Sequence, residues 1–172
     1  MSETSPSTSV AERVVTHPGR IIRGIPAFAF AMPEGWVIDE SPGAVFAMRL
    51  PAQENGFWVN ALLTHDKVAR SVDFDQAAKV TWGKLQRTTT NLVERGERLV
   101  RFGRQIMYIR GCEFTAKDGG QTLAQLHALW FAPVDEGGKV VDFFQLVLTC
   151  PVTTMPQHSK AILAMLSTFR FT

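Results

Sequence analysis

The sequence predicts an α+β fold built on a largely antiparallel sheet of six to seven strands. Three observations carry that prediction. Strand-like runs come in blocks joined by short turns and do not alternate with helices. Only two segments carry a helical period, near residues 73–88 and 157–169. Four alternating runs also follow one another across Gly103, Asp118-Gly119-Gly120 and Asp135-Glu136-Gly137-Gly138, and such Asp-Gly and Gly-Gly pairs punctuate hairpins. The predicted order is β-β-β-α-β-β-β-β-α.

Residues 1–20 are rich in Ser, Thr and Pro and cannot bury enough apolar surface to offset chain entropy. They read as a disordered tail before one domain over residues 21–172. That domain opens on "AFAFAM", whose alternation puts Phe28 and Phe30 on one face of a strand, buried together. Pro33-Glu34-Gly35 ends it, and "WVIDE" from Trp36 resumes extended chain. "SPG" turns the chain into a strand over Ala44 to Leu50, and "PAQENG" turns it again into "FWVNALLTHDKV". In that long run, Phe57, Val59, Ala61 and Leu63 share one face, and Trp58, Asn60, Leu62 and Thr64 the other. Apolar residues on both faces predict a central strand covered on each side.

The period then changes. Phe74, Ala77, Ala78, Thr81, Trp82 and Leu85 fall on one helical stripe. Asp73 is the expected N-cap, with Gln76 at the capping-box position. Gly83 weakens this helix by about 1 kcal/mol relative to Ala, which suits a place where the helix crosses a sheet closely. The Thr88-Thr89-Thr90 run is the expected exit. Four strands follow, at about Asn91–Phe102, Arg104–Thr115, Gln121–Ala132 and Lys139–Cys150. Pro151 and Pro156 bracket a loop, and Ile162, Met165, Leu166 and Phe169 form the apolar stripe of a closing helix.

Composition excludes several functions. With 172 residues, 45% of them hydrophobic, the chain builds an ordinary core without metal or disulfides. A net charge of +2 is too balanced to argue for nucleic acid. Cys112 and Cys150 form no CxxC pair and the four histidines are scattered, so no zinc site or other cofactor is expected. Both cysteines sit in apolar runs and read as buried thiols, with a disulfide open if their strands are neighbours. No signal peptide or lipobox is read near the N-terminus, and no apolar run reaches the roughly 18 residues of a membrane span. The expectation is a soluble cytoplasmic protein.

The element order and the segments "FAFAMPEGW", "WVNALL", "VDFDQAAKVTWGKL", "IRGCEFTAKDGGQTLAQLHALW" and "ILAMLSTFRF" resemble the Mog/PsbP-like fold. The likeness is to its bacterial branch, which holds the LpqN-like lipoproteins and the DcrB-related proteins, and it spans residues 25–172. It implies an α/β/α sandwich and a non-enzymatic binding, chaperone-like or accessory role. The expected partner is a protein segment or an apolar small molecule. No catalytic motif of any kind is carried over.

Residue chemistry agrees. Asp135, Glu136 and Asp142 offer carboxylates, but two of them sit in a turn, where acids bond to backbone. No G-x-S-x-G occurs. His127 lies mid-strand in "LAQLHALW" and reads as a hydrogen-bonded sheet-face histidine. The alternative is a small enzyme with a His-and-carboxylate pocket around it. His65 is placed at a strand end, in solvent. Arg87, Arg95, Arg98, Arg101, Arg104 and Arg110 crowd the helix exit and the first meander hairpin, with Arg95 and Arg101 on one strand parity and Arg98 on the other; Arg95, Arg98, Arg101 and Arg104 are the candidate partner contacts. They read as a solvated face with cross-strand ion pairs, or as a docking surface for an acidic partner. Basic residues interleaved with stacking aromatics are missing, which speaks against nucleic acid. Trp58, His127, Trp130 and Phe143 are the candidate contacts for an apolar ligand, on whichever sheet face the helices leave uncovered.

Overall fold

The computed structural model describes residues 17–19, 23–117, 120–134 and 136–172. The tail expected over residues 1–20 falls mostly outside the described residues, as do Asp118-Gly119 of one predicted turn and Asp135 of another. The elements are β1 (Phe28–Ala29), β2 (Val37–Asp39), β3 (Phe46–Arg49), β4 (Asn60–Ala69), α1 (Phe74–Thr88), β5 (Thr90–Phe102), β6 (Gln105–Thr115), β7 (Thr122–Phe131), β8 (Val140–Pro151), α2 (Met155–Ser167) and β9 (Arg170–Phe171). Seven strands form one antiparallel sheet in the order β2-β3-β4-β8-β7-β6-β5. The α+β class, the seven-stranded antiparallel sheet and the two helices match the prediction, but four strands precede α1 where three were predicted, and a short β9 follows α2 where none was.

The period of two along the strands sorts the side chains into two layers. Toward α2 point Leu126, Ala128 and Trp130 of β7 and Phe144, Leu146 and Leu148 of β8. They are buried with Ile162, Met165 and Leu166 of the helix. Toward α1 point Leu129 and Phe143, which close over Ala77 and Ala78. The two alanines let α1 approach the sheet. At its start the Asp73 carboxylate accepts a hydrogen bond from the Gln76 backbone N–H at 2.7 Å, the expected cap.

The first strand differs from the prediction. Only Phe28 and Ala29 pair, and they pair with the C-terminal β9, apart from the main sheet. Phe28 and Phe30 are half-buried on the core, their rings 6.1 Å apart and stacked. The reason is the ring cluster beneath. Phe28 lies 5.4 Å from Phe169 and 5.9 Å from Phe144, so aromatic packing, with little strand pairing, fixes the segment. Phe169 also lies just past α2, where it stays buried.

Gly83 differs too. A Cβ built there would meet only the Arg87 guanidinium end, at 3.4 Å. No close crossing over the sheet requires the glycine. Gly83→Ala should therefore raise the unfolding free energy by about 0.5–1 kcal/mol, through helix propensity alone. Urea unfolding measures this, and a loss of stability would show a close approach after all.

Cys112 on β6 and Cys150 on β8 are free and buried, and β7 separates their strands. The disulfide left open by the sequence does not form. Burial pushes the Cys112 thiol up to about 11 and the Cys150 thiol up to about 12, so both stay protonated and inert at neutral pH.

Candidate functional site

The two faces of the sheet are not equally covered. On the α1 side, cross-strand rows run Cys112–Gln125–Thr149–Asn60, Arg110–His127–Val147–Leu62 and Tyr108–Leu129–Gln145–Thr64. The helix packs on the β6 and β7 ends of these rows, through Trp82 over Arg110 and Ala77 and Ala78 near Leu129. The β8, β4 and β3 ends stay open. Leu62, which the sequence placed on a covered face of a central strand, is only half-buried for this reason. Between the second half of α1 and the sheet lies an open hollow of about 330 Å³, floored by Leu62, Thr64, Gln125, Gln145, Val147 and Thr149. It shares Leu62 with a shallower hollow of about 480 Å³ beside Arg49, Trp58 and Asn60.

The polar floor is internally bonded. Gln145 Nε2 donates to His127 Nδ1 at 3.1 Å, and His127 Nε2 donates to Gln125 Oε1 at 2.9 Å. Gln125 Nε2 donates in turn to Thr149 Oγ1 at 3.0 Å. His127 is buried, and burial pulls its pKa down to about 4, with the positive Arg110 nearby adding to the effect. The imidazole is therefore neutral at pH 7. Its two nitrogens are held by glutamines, so the His-and-carboxylate pocket weighed from the sequence is not built around His127.

A histidine–carboxylate pair does exist elsewhere. His65 Nε2 lies 2.7 Å from Asp142 Oδ1, in the middle of β4 and largely buried. The strand-end, solvated placement expected for it is corrected by its tilted contact with the Phe144 ring at 5.1 Å. Lys67 Nζ binds the same oxygen at 2.7 Å. Burial works to raise the Asp142 pKa, but the hydrogen bonds from Lys67 and His65 outweigh it and hold the carboxyl below its ordinary value. Two donors on one oxygen make a clasp between β4 and β8. Neighbouring positions on paired strands were the only signal for this in the sequence, and register is not legible before folding.

The remaining candidates separate. Trp130 is fully buried and faces α2, because its row continues into Phe144 beneath that helix. Phe143 is buried under α1. Neither lines either of these two hollows. Trp58 is 43% exposed, and its ring carries the Arg49 guanidinium at 4.5 Å. Only Trp58 and His127 touch the open face, at opposite ends of it.

The arginines also regroup. A register shift between Glu94 and Gly96 inserts a residue into β5 and resets its parity. Arg95 therefore pairs with Glu113 at 2.6 Å, on the face that Arg98 shares through its partner Ile109. Arg101, opposite Ile106, lies on the other face. The sequence parity that joined Arg95 to Arg101 is undone by that bulge. Arg110, named with the basic segment but not among the four candidate contacts, is the buried member. It stacks 4.4 Å from the Trp82 ring and donates to Glu97 and to the Tyr108 hydroxyl.

The fold is that of an open-faced α/β/α sandwich, with one helix and a small aromatic-capped strand pair on one side and a single partial helix cover on the other. This is the Mog/PsbP-like fold. LpqN of Mycobacterium tuberculosis, described as involved in cell envelope biogenesis, superposes with a TM-score of 0.69 at 15% identity, over 98% of this chain and 99% of that one. Cyanobacterial PsbP of Synechocystis sp. PCC 6803 gives 0.56 at 12% identity, over 90% and 96%. The Ran-binding protein Mog1p of Saccharomyces cerevisiae gives 0.55 at 13%, over 84% and 90%. No model of a known protein family matches the chain, and neither does the sequence of any curated protein. Among the described residues no helix is long and apolar enough to cross a membrane.

Proposed function

We propose that this protein is a non-enzymatic binding module whose ligand lies on the open half of the sheet beside α1. The ligand is a protein segment or an apolar small molecule. One observation carries the reading: α1 leaves Leu62 and Val147 uncovered within a groove whose polar groups are already bonded to each other. Such a floor offers apolar area with little desolvation cost, as ligand sites do. A neutral His127 held by two glutamines is a poor general base, which supports binding without turnover. Mog1p, which shares the fold, is a Ran-binding protein, and this is compatible with a binding role.

Val147→Trp fills the groove at its centre. Native mass spectrometry of protein purified from its source should show a bound ligand that the variant lacks, with circular dichroism unchanged. Leu62→Asp, which charges the floor, should act in the same way. A ligand retained by both variants would remove the groove from consideration. Turnover of any substrate in an esterase and isomerase panel that is lost in His127→Ala would overturn the non-enzymatic reading.

A further inference from the structure

The far edge of the sheet carries a second feature. Strand β5 is 13 residues long and ends the sheet, and no described residue pairs with its outer side. Long free edges are templates for another strand, and proteins normally blunt them. The opposite edge is blunted, since β2 has only 3 residues. At its start β5 is bulged, between Thr90 and Val93 and between Glu94 and Gly96, but from Glu97 to Phe102 its register with β6 is unbroken.

The turn fixes which backbone groups face outward. Gly103 and Arg104 form a two-residue loop between the paired Phe102 and Gln105, with Gly103 at φ 58°. A positive φ at the first central position is that of a II′ hairpin, whose flanking pair is hydrogen-bonded. Bonded and non-bonded pairs then alternate. Phe102, Val100 and Arg98 bond inward to β6. The N–H and C=O groups of Arg101, Leu99 and Glu97 point to the free edge.

Side chains around this edge match in charge. Glu94 and Glu97 are engaged by Arg110, and Arg95 by Glu113. Arg98, Arg101 and Arg104 are exposed, and none bonds to a described residue. No acidic residue occurs between Glu97 and Glu113 to neutralise them. On the α1 side, Leu99 is 65% exposed and its diagonal neighbour Ile106 is 41% exposed. The nearby aromatics Trp82 and Tyr108 are already stacked on Arg110, so none is free to stack a nucleobase.

We propose that an extended acidic segment of another protein adds to β5 as an eighth strand. Its backbone pairs with Glu97, Leu99 and Arg101. Its carboxylates meet Arg98 on one face and Arg101 and Arg104 at the tip, and an apolar side chain covers Leu99 and Ile106. This is recognition by strand addition, with backbone bonds for affinity and alternate side chains for specificity. It lies across the sheet from the groove and does not depend on it.

The test uses a fluorescein-labelled Asp-Val-Glu-Val-Glu-Leu-Asp peptide and fluorescence anisotropy on the full chain. Binding should weaken by about tenfold or more on raising salt from about 0.1 to 0.5 M, as screening shortens the reach of exposed charges. A peptide with Lys in place of every acid should not bind. Arg98→Glu with Arg101→Glu should abolish binding. Leu99→Pro removes an outward donor that β6 does not use, and should cost binding about tenfold while circular dichroism is kept. The acidic peptide with N-methyl groups on its pairing amides tests the same bonds without altering the protein, and should not bind. No binding of the acidic peptide, binding that survives N-methylation, or tighter binding to oligothymidylate or to phosphatidylglycerol vesicles would each overturn the proposal.

Discussion

Replacing Trp130 with Ala will lower the unfolding free energy by about 3–5 kcal/mol, the usual cost of emptying a large aromatic site in a core. The indole has no exposed surface and sits where three parts of the chain meet. Its ring is stacked on Phe144 of β8 at 5.8 Å and meets Phe169, past α2, edge-on at 4.9 Å. Phe144 and Phe169 in turn hold Phe28 and Phe171 of the small strand pair. A void at Trp130 removes contacts from all of these at once, and the surrounding sheet cannot collapse to fill it. A domain of this kind has roughly 5–15 kcal/mol in all, so the variant should be close to the limit of folding. Trp130→Phe separates volume from polarity. It keeps an aromatic ring but removes a buried indole N–H that has no hydrogen-bond partner. An unmet donor of that kind costs about 1–3 kcal/mol, which offsets part of the lost volume, so this variant should be much milder. Urea unfolding decides both. A loss under about 1 kcal/mol for Trp130→Ala would mean that the aromatic cluster does not hold the layers together.

Much of this fold was legible because its signals are local. The stripe from Phe74 to Leu85 and the cap at Asp73 predict α1 to within a residue or so. The four meander strands are bounded by their own turn residues. The failures share one cause, which is that pairing is non-local. The β1 segment alternates like a strand, yet its partner is Arg170–Phe171, more than 140 residues away, and nothing in "FAFAM" names them. Arg95 and Arg101 have one parity in sequence, and a bulge at Gly96 divides them. A bulge shifts every later side chain on its strand to the other face.

The candidate site was less legible still. Trp58, His127, Trp130 and Phe143 are all aromatic residues on strands, and composition cannot tell a covered face from an open one. What decides is where α1 stops. Its apolar stripe is wide enough to cover two strands, while the sheet has seven. The open face therefore falls over Leu62 and Val147, ordinary strand residues with no chemical signal of their own. Arg110 was visible as one basic residue among six, but its burial was hidden for a similar reason. Its aromatic and acidic neighbours come from α1, β5 and β6, and only the register brings them to one point.

Acid will cost this protein stability through His127, and the sign follows from its burial. The folded-state pKa is about 4, against an ordinary value of 6.5. Between those values the unfolded chain binds a proton that the folded chain refuses. Stability from this residue is therefore complete above pH 6.5, falls as the pH drops toward 4, and changes no further below that. The shift corresponds to something on the order of 3 kcal/mol. The positive Arg110 on the next strand adds to the effect of burial in opposing protonation of the ring. The hydrogen-bond chain opposes it as well, since a second ring proton would point at the Gln145 amide donor. His127→Gln keeps a polar, uncharged side chain and removes the titration. Urea unfolding of both proteins across this window should show the wild type losing about 3 kcal/mol relative to the variant. Asp39, Glu54 and Asp142, whose carboxyls are held below their ordinary values, contribute acid sensitivity of their own. They are present in both proteins and cancel in the difference. Parallel stability curves would mean that His127 titrates normally and is solvated from the groove. A converging pair would show that the groove floor stays uncharged at neutral pH, which is the condition for holding an apolar ligand there.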